Sequence, residues 1–269
     1  MRKALLREFQ SIRMETFIAG IILAIIQGIS EWFPISSSGH LVLFSRILGF
    51  ENSVAFDVTL HFGTLMAVFV YFGKDIVDIL EDWLKGKWKS ENARLGYFLI
   101  VSAIPAAIIG YVFKSYFESA FSSLGIVALG FAITGLVLIL ASFDYKAKRE
   151  MSFKESLIIG CAQAVAIFPG ISRSGSTISA GLLRGIDRAK AVRFSFMMSI
   201  PVIFGASILE LGSQRLPSSY ILPTFVSFIV GIGTIHLLLK ILVNSKKNLR
   251  WFALYVLVLA ASLGIYLII

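Results

Sequence analysis

Residues 27–40 read QGISEWFPISSSGH, and residues 163–176 read QAVAIFPGISRSGS. In one ungapped register Gln27 aligns with Gln163, Ile35 with Ile171, Ser36 with Ser172, Ser38 with Ser174 and Gly39 with Gly175, always 136 residues apart. Gly49 and Gly185, Glu51 and Asp187, and Ala55 and Ala191 continue that register. Such self-similarity marks an internal structural repeat. We assign repeat 1 to about 16–142 and repeat 2 to about 152–269, within a single integral membrane domain spanning 1–269. Each copy sets small polar residues inside strongly apolar sequence.

The whole chain is apolar enough to treat a bilayer as its solvent. Of 269 residues, 57% are hydrophobic and 15% charged, and the mean hydropathy is +0.84, which excludes an ordinary soluble domain. The net charge of +9 does not point to nucleic acid, because the basic residues sit in short linkers rather than on a basic and aromatic face. Cys161 is the only cysteine, so there is neither an intrachain disulfide nor a cysteine metal site. It reads as a small buried hydrophobe.

Six segments reach the roughly 20 apolar residues a membrane helix needs: 54–73, 95–113, 120–141, 190–212, 219–242 and 250–268. Two further segments, 16–48 and 153–186, are interrupted by Pro34 and Pro169, each next to a Ser/Gly run. Proline ends a helix and the polar run cannot face lipid, so each reads as a re-entrant helix, loop and short helix. Two kinked spanning helices are the alternative. The fold class is therefore an all-α polytopic membrane protein with six transmembrane helices, two re-entrant hairpins and an inverted-topology internal repeat. Residues 1–14 read as an N-terminal interfacial extension, with Leu5, Leu6, Phe9 and Ile12 on one helix face. No small-residue cleavage site follows them, which argues against a signal peptide.

Charge sets the orientation. Linkers 74–94, 143–154, 184–193 and 243–250 carry sixteen Lys and Arg against seven on the other side, which makes the first side cytoplasmic and places both termini outside.

Few ionisable residues fall inside the apolar segments, and a charge there costs several kcal/mol unless paired or hydrated. Glu31, His40, Asp57, His61 and Arg173 are the main ones. Inverted repeats bring their broken helices face to face, so the Glu31 and His40 loop is expected to meet the Arg173 loop. In Pro169–Ser179 (PGISRSGSTIS), the glycines allow close backbone approach, a helix N-terminus offers free N–H groups, and Arg173 offers a planar fork to phosphate oxygens. The run nearly matches a Walker motif, but Ser176 stands where the nucleotide-binding lysine belongs. In the other copy Ser36, Ser37, Ser38 and Gly39 lead to His40, which can serve as base, acid or nucleophile. Gln27 and Glu31, at i and i+4, share a helix face and can hold a hard divalent cation or orient a water. Asp57 and His61, also at i and i+4, read equally as structural or as supporting the site. His236 reads as structural and Glu210 as interfacial.

At these residues the chain resembles the undecaprenyl-diphosphate phosphatase family of the bacitracin-resistance type. Gln27–Glu31 is similar to the family's (Glu or Gln)-x-x-x-Glu motif, Phe33–His40 to its Pro-x-Ser-Ser-(Ser/Thr)-Gly-His run, and Pro169–Thr177 to its Pro-Gly-x-Ser-Arg-Ser-x-x-Thr motif. Phe56–Thr64 is similar to its third segment. The resemblance implies a multi-pass enzyme of the plasma membrane that hydrolyses the terminal phosphate of a C55 isoprenyl diphosphate, recycling the lipid carrier for cell-envelope glycan synthesis. It implies catalytic roles for Glu31, Ser37, His40 and Arg173, with either Ser37 or His40 as nucleophile. It implies substrate binding by Gly170, Ser172, Arg173, Ser174 and Thr177, and a divalent cation, Mg2+ or Ca2+, held by Glu31 and Gln27. Position 27 is Gln where many members have Glu, which removes one anionic ligand. The expected partners are the lipid substrate and the bilayer, with a homodimer left open and no nucleic acid. A site opening to the outer leaflet is expected. The rival reading is a transporter or flippase of a polyprenyl phosphate or other anion, for which inverted repeats with broken helices are also suited; a purely structural membrane scaffold is a third.

Overall fold

A computed structural model describes residues 2–51, 53–143, 149–211 and 216–269. The expected interfacial face of Leu5, Leu6, Phe9 and Ile12, the side chain of Glu210, and Lys146, Lys148, Arg215 and the side chain of Lys246 lie outside what is described.

The described residues are mostly helical. Helix α1 is Arg2–Ser30, α2 Ser37–Ile47, α3 Val54–Tyr71, α4 Gly73–Leu84, α5 Glu91–Val112, α6 Lys114–Phe121 and α7 Leu124–Ala141. Then come α8 Phe153–Val165, α9 Arg173–Leu183, α10 Arg188–Met197, α11 Ser199–Leu211, α12 Ile221–Asn244 and α13 Leu249–Ile268. Among the described residues, six stretches are long and apolar enough to cross a membrane: Val54–Tyr71, Glu91–Val112, Leu124–Ala141, Arg188–Leu209, Ser218–Leu242 and Leu249–Ile268. They match the six expected spans to within a few residues. The fourth is not one helix, because Pro201 cannot donate to the carbonyl four residues back and α10 gives way to α11 at Met198. The backbone of α1 runs without interruption through residue 14, with no boundary between an extension and the first apolar helix.

Both Pro-interrupted segments fold as a helix, a turn and a short helix, α1 to α2 and α8 to α9. The two short helices are local replicas. Each has 11 residues, and Ser36 and Ser172 cap them with the same side-chain bond, each Oγ accepting from the backbone N–H three residues on, Gly39 and Gly175, although Ser36 has φ +69° and Ser172 φ −75°. A cap of this kind contributes about 1 kcal/mol.

Helix α7 is the post against which both turns rest. Thr134 Oγ1 donates to the Gly170 carbonyl and accepts from the Ser172 N–H, each at 2.9 Å. Gly170 has φ +88°, and a Cβ there would overlap the Val127 carbonyl oxygen of α7. A Cβ on Gly39 would lie 2.6 Å from the Phe131 ring and 2.9 Å from Gly170 Cα, so the two turns press together at α7 without side chains between them.

Three of the basic linkers converge at one end. Arg193 pairs with Asp75, Lys190 with Glu150 at 2.8 Å, and Arg184 and Arg149 with Glu155 at 2.9 and 3.3 Å. The Ser152 hydroxyl, with Arg184 behind it, holds the buried Glu155 carboxyl down to about 2. The fourth linker joins α7 at the same end through Arg250 Nε, which donates to Ser142 Oγ at 3.1 Å. At the other end Arg46 reaches the Ser122 carbonyl and Ser53 reaches Tyr220. Cys161, expected to be buried, lies exposed on α8. An apolar bundle turns such groups outward freely, because its surroundings are as apolar as its interior.

Gly170→Ala combines a left-handed φ with steric overlap, and it is expected to lower the thermal midpoint in detergent by the equivalent of about 2–3 kcal/mol. Gly205→Ala, where nothing lies within 4 Å, is expected to leave the midpoint unchanged.

Candidate active site

The two turns bring together residues 142 positions apart. Glu31, in the turn after α1, is 6% exposed, yet each of its carboxylate oxygens is engaged. Oε1 accepts from Arg173 Nη2 at 2.6 Å. Oε2 accepts from Ser37 Oγ at 2.6 Å and from Gln27 Nε2 at 3.0 Å, and His61 Nε2 stands 3.4 Å away. A carboxylate buried this deeply is tolerable only with such a complement of donors.

Arg173 opens α9, directly after the Ser172 cap, as Ser37 opens α2 directly after Ser36. Both helices therefore aim positively polarised N-termini at the cluster. The guanidinium is fixed from three sides. Besides Glu31, its Nη1 donates to the Ser195 carbonyl at 3.1 Å, and its Cζ lies 5.2 Å from the Trp32 ring centre. Ser195 is in the last turn of α10, where carbonyls lack helical partners, so the interruption before Pro201 supplies Arg173 with an acceptor.

Glu31, Ser37, Arg173 and His61 line a cavity of about 930 Å³. Its walls are largely apolar, and it reaches Arg46, Glu51 and Glu118 at the end opposite the basic linkers. One alcohol against a carboxylate, one guanidinium with N–H groups to spare, and an apolar channel suit an amphiphile with an anionic head.

The residues expected at the site divide into two groups. Arg173 reaches the cavity, whereas Gly170, Ser172, Ser174 and Thr177 hold the turn. The Gly170 carbonyl is taken by Thr134, and Ser172 Oγ caps α9. Ser174 Oγ donates to the Phe33 carbonyl at 3.1 Å. Thr177 Oγ1 bonds back to the Arg173 carbonyl at 2.8 Å and to Ser195 Oγ at 2.6 Å. These three hydroxyls are 1% exposed and fix the turn that carries Arg173.

His40 departs from its expected place. It is 3% exposed and absent from the cavity wall. Nδ1 donates to the Ser36 carbonyl at 2.7 Å, Nε2 accepts from Tyr255 Oη at 2.8 Å, and the ring stacks on Tyr255 and meets Phe131 edge-on. With both nitrogens engaged, His40 fastens α2 to α13. Three positions after Ser37, the His40 ring is claimed by a second wall, formed by Phe131 of α7 and Tyr255 of α13. The imidazole at the carboxylate is instead His61 of α3, held by its Nδ1 donating to the Asp57 carbonyl at 2.8 Å. His236 bonds Tyr71 Oη at 3.3 Å.

Gln27 and Glu31, the residues expected to hold a cation, are hydrogen-bonded to each other at 3.0 Å. The amide turns its nitrogen to Glu31, its Oε1 is buried without a partner, and a guanidinium already neutralises the carboxylate. Among the described residues, no three His, Cys, Asp or Glu side chains converge as ligands.

Fold and site together define a polytopic helical membrane protein with a buried carboxylate, serine and guanidinium facing an apolar-walled cavity. The family described as Bacitracin resistance protein BacA matches residues 20–262, and the chain belongs to that family. It is 42% identical over 266 residues to a Caldicellulosiruptor bescii protein named Undecaprenyl-diphosphatase, covering 95% of this chain and 99% of that protein. It is 42% identical over 245 residues to one of the same name from Thermosipho africanus, covering 89% of this chain and 96% of that protein. A Halothermothrix orenii protein, again so named, is 44% identical over 246 residues, covering 87% and 92%.

The ion pair between the turns is measurable by a double-mutant cycle. Glu31→Gln strands a guanidinium and Arg173→Met strands a carboxylate, so each single change is expected to destabilise more than half as much as the pair of changes together. The expected coupling is about 1–3 kcal/mol by thermal denaturation.

Proposed function

We propose that this protein removes the terminal phosphate of undecaprenyl diphosphate, giving undecaprenyl phosphate and inorganic phosphate. The carrying observation is that Ser37 Oγ and Arg173 Nη2 meet the two oxygens of one buried carboxylate, Glu31, each at 2.6 Å, on the wall of a single cavity.

In this reading Ser37 Oγ attacks the terminal phosphorus while its proton passes to Glu31. The bond from that phosphorus to the bridging oxygen breaks, and the lipid monophosphate departs with the bridging oxygen's electrons. Water then attacks the phosphoserine phosphorus, the bond from phosphorus to Ser37 Oγ breaks, Ser37 takes back the proton held by Glu31, and inorganic phosphate leaves carrying both protons of the water. Arg173 and the two helix N-termini stabilise charge on the equatorial oxygens, where most of the catalysis of phosphoryl transfer resides. His61 stands by the same carboxylate and helps hold the proton it gains. We place the divalent cation, Mg2+ or Ca2+, on the diphosphate oxygens, so that it enters as part of the substrate.

Three finer features belong to the reading. At 11 residues α2 and α9 are about 16 Å long, half of a roughly 30 Å hydrocarbon core, which supports two re-entrant hairpins. The 136-residue register, kept to the residue by the two caps and the two short helices, supports a repeat whose second copy is inverted. The cavity reaches the end opposite the gathered basic linkers, which supports an outward-facing site in the plasma membrane. A carrier of lipid phosphate would need the arginine but not an alcohol bonded to a carboxylate.

Purified protein given undecaprenyl diphosphate is expected to release phosphate, and no release above an Arg173→Ala control overturns the reading. Ser37→Ala is expected to lower kcat by about 10³-fold and Glu31→Gln by at least 10²-fold. His40→Gln is expected to cost less than tenfold while lowering the thermal midpoint. Chelator is expected to stop turnover until Mg2+ or Ca2+ returns, whereas Mg2+ alone is expected to leave the midpoint of substrate-free protein unmoved; a midpoint rising with Mg2+ indicates a resident site instead.

A further inference from the structure

Gln163 lies in α8 at the position matching Gln27 in α1, but its circumstances are reversed. Gln27 spends its amide nitrogen on Glu31, four residues on. The residue four after Gln163 is Ile167, so the second copy offers its glutamine no carboxylate. Gln163 is 2% exposed, neither Nε2 nor Oε1 has a hydrogen-bond partner, and it lines the same cavity as Glu31, Ser37 and Arg173. A buried amide left unpaired is costly, so packing alone would favour an apolar residue of equal size.

Ser45 also lines the cavity with an unpartnered buried hydroxyl. A helical serine can turn back to the carbonyl of its own preceding turn at little cost, which a glutamine amide on this wall cannot do. Gln163 is thus the group whose bonding requirement is left for a ligand. A carboxamide suits an anion beside Arg173, since it offers two N–H donors without adding charge, and its oxygen accepts from water.

From this geometry we infer that Gln163 is a substrate-binding residue: its Nε2 donates to oxygens of the diphosphate head group, and its Oε1 holds a water at the phosphoryl site. The inference rests on the phosphatase reading for its substrate, though the binding of a diphosphate anion is testable without turnover.

The test compares wild type with Gln163→Met, which fills the same space without polar atoms, and with Gln163→Asn, which keeps the amide but falls one methylene short. Inorganic pyrophosphate with Mg2+ is the probe for binding, read as thermal stabilisation, and undecaprenyl diphosphate is the probe for turnover. Gln163→Met is expected to match or exceed the wild-type midpoint without ligand and to need about tenfold more pyrophosphate for half-maximal stabilisation. It is also expected to lose at least tenfold in kcat/KM, mostly through KM. Gln163→Asn is expected to fold and to lose binding likewise, and it stands in should the Met variant fail to fold. Pyrophosphate stabilisation and kcat/KM within threefold of wild type in the folded variants overturn the inference. A wild type that is stabilised by pyrophosphate but releases no phosphate from the lipid overturns the phosphatase reading and leaves the Gln163 result to be judged by stabilisation alone.

Discussion

One carboxylate receives both the serine of its own turn and the guanidinium of a turn 142 residues away. Removing Glu31 and Arg173 from water costs several kcal/mol for each ion, and the fold meets that cost with donors and acceptors rather than with solvent. Gln27, Ser37 and His61 surround the acid, while the Ser195 carbonyl and the Trp32 face hold the base. The pair locks two pieces of broken helix together and holds Ser37 and Arg173 on one carboxylate, the groups we propose act on a phosphoryl centre. Stability and chemistry therefore draw on the same contacts.

What lets the turns approach is smallness and economy of hydrogen bonds. Glycines at 39 and 170 remove the side chains that would hold the turns off each other and off α7. Thr134 supplies one acceptor and one donor to a backbone that helix hydrogen bonding has abandoned. Non-helical backbone survives at such depth only when the surrounding protein satisfies it. The serines and threonine of the second turn serve that end, and they leave Arg173 as its one charged side chain on the cavity wall, beside Ala166, Ile167 and Ile171.

The architecture was legible because its signals are one-dimensional. Six apolar runs, two prolines and a repeated register are properties of the string, and the helices follow them closely. The pairing of Glu31 with Arg173 was legible too, since two isolated opposite charges in apolar sequence have little choice but each other. Side-chain direction was not. His40 and Ser37 share a motif, yet α2 turns them to different walls, and Tyr255 on a distant helix, with no motif of its own, decides what His40 touches. His61 was visible as an i, i+4 partner of Asp57, but the carboxylate it faces, Glu31, lies in the turn after α1. Thr134 and Ser195 are ordinary hydroxyls in apolar spans, and only the fold shows which of them meets a loop.

The most direct test of the shared carboxylate as a phosphoryl-transfer site is acid-quenched turnover of undecaprenyl diphosphate labelled with 32P in its terminal phosphate, followed by mapping of the label. The account predicts transient label on the peptide bearing Ser37, stable to acid, increased in Glu31→Gln if the second step slows more than the first, and absent in Ser37→Ala. Label that survives an alkaline quench but is lost in acid, as on a phosphohistidine at His40, or full turnover by Ser37→Ala, would contradict it.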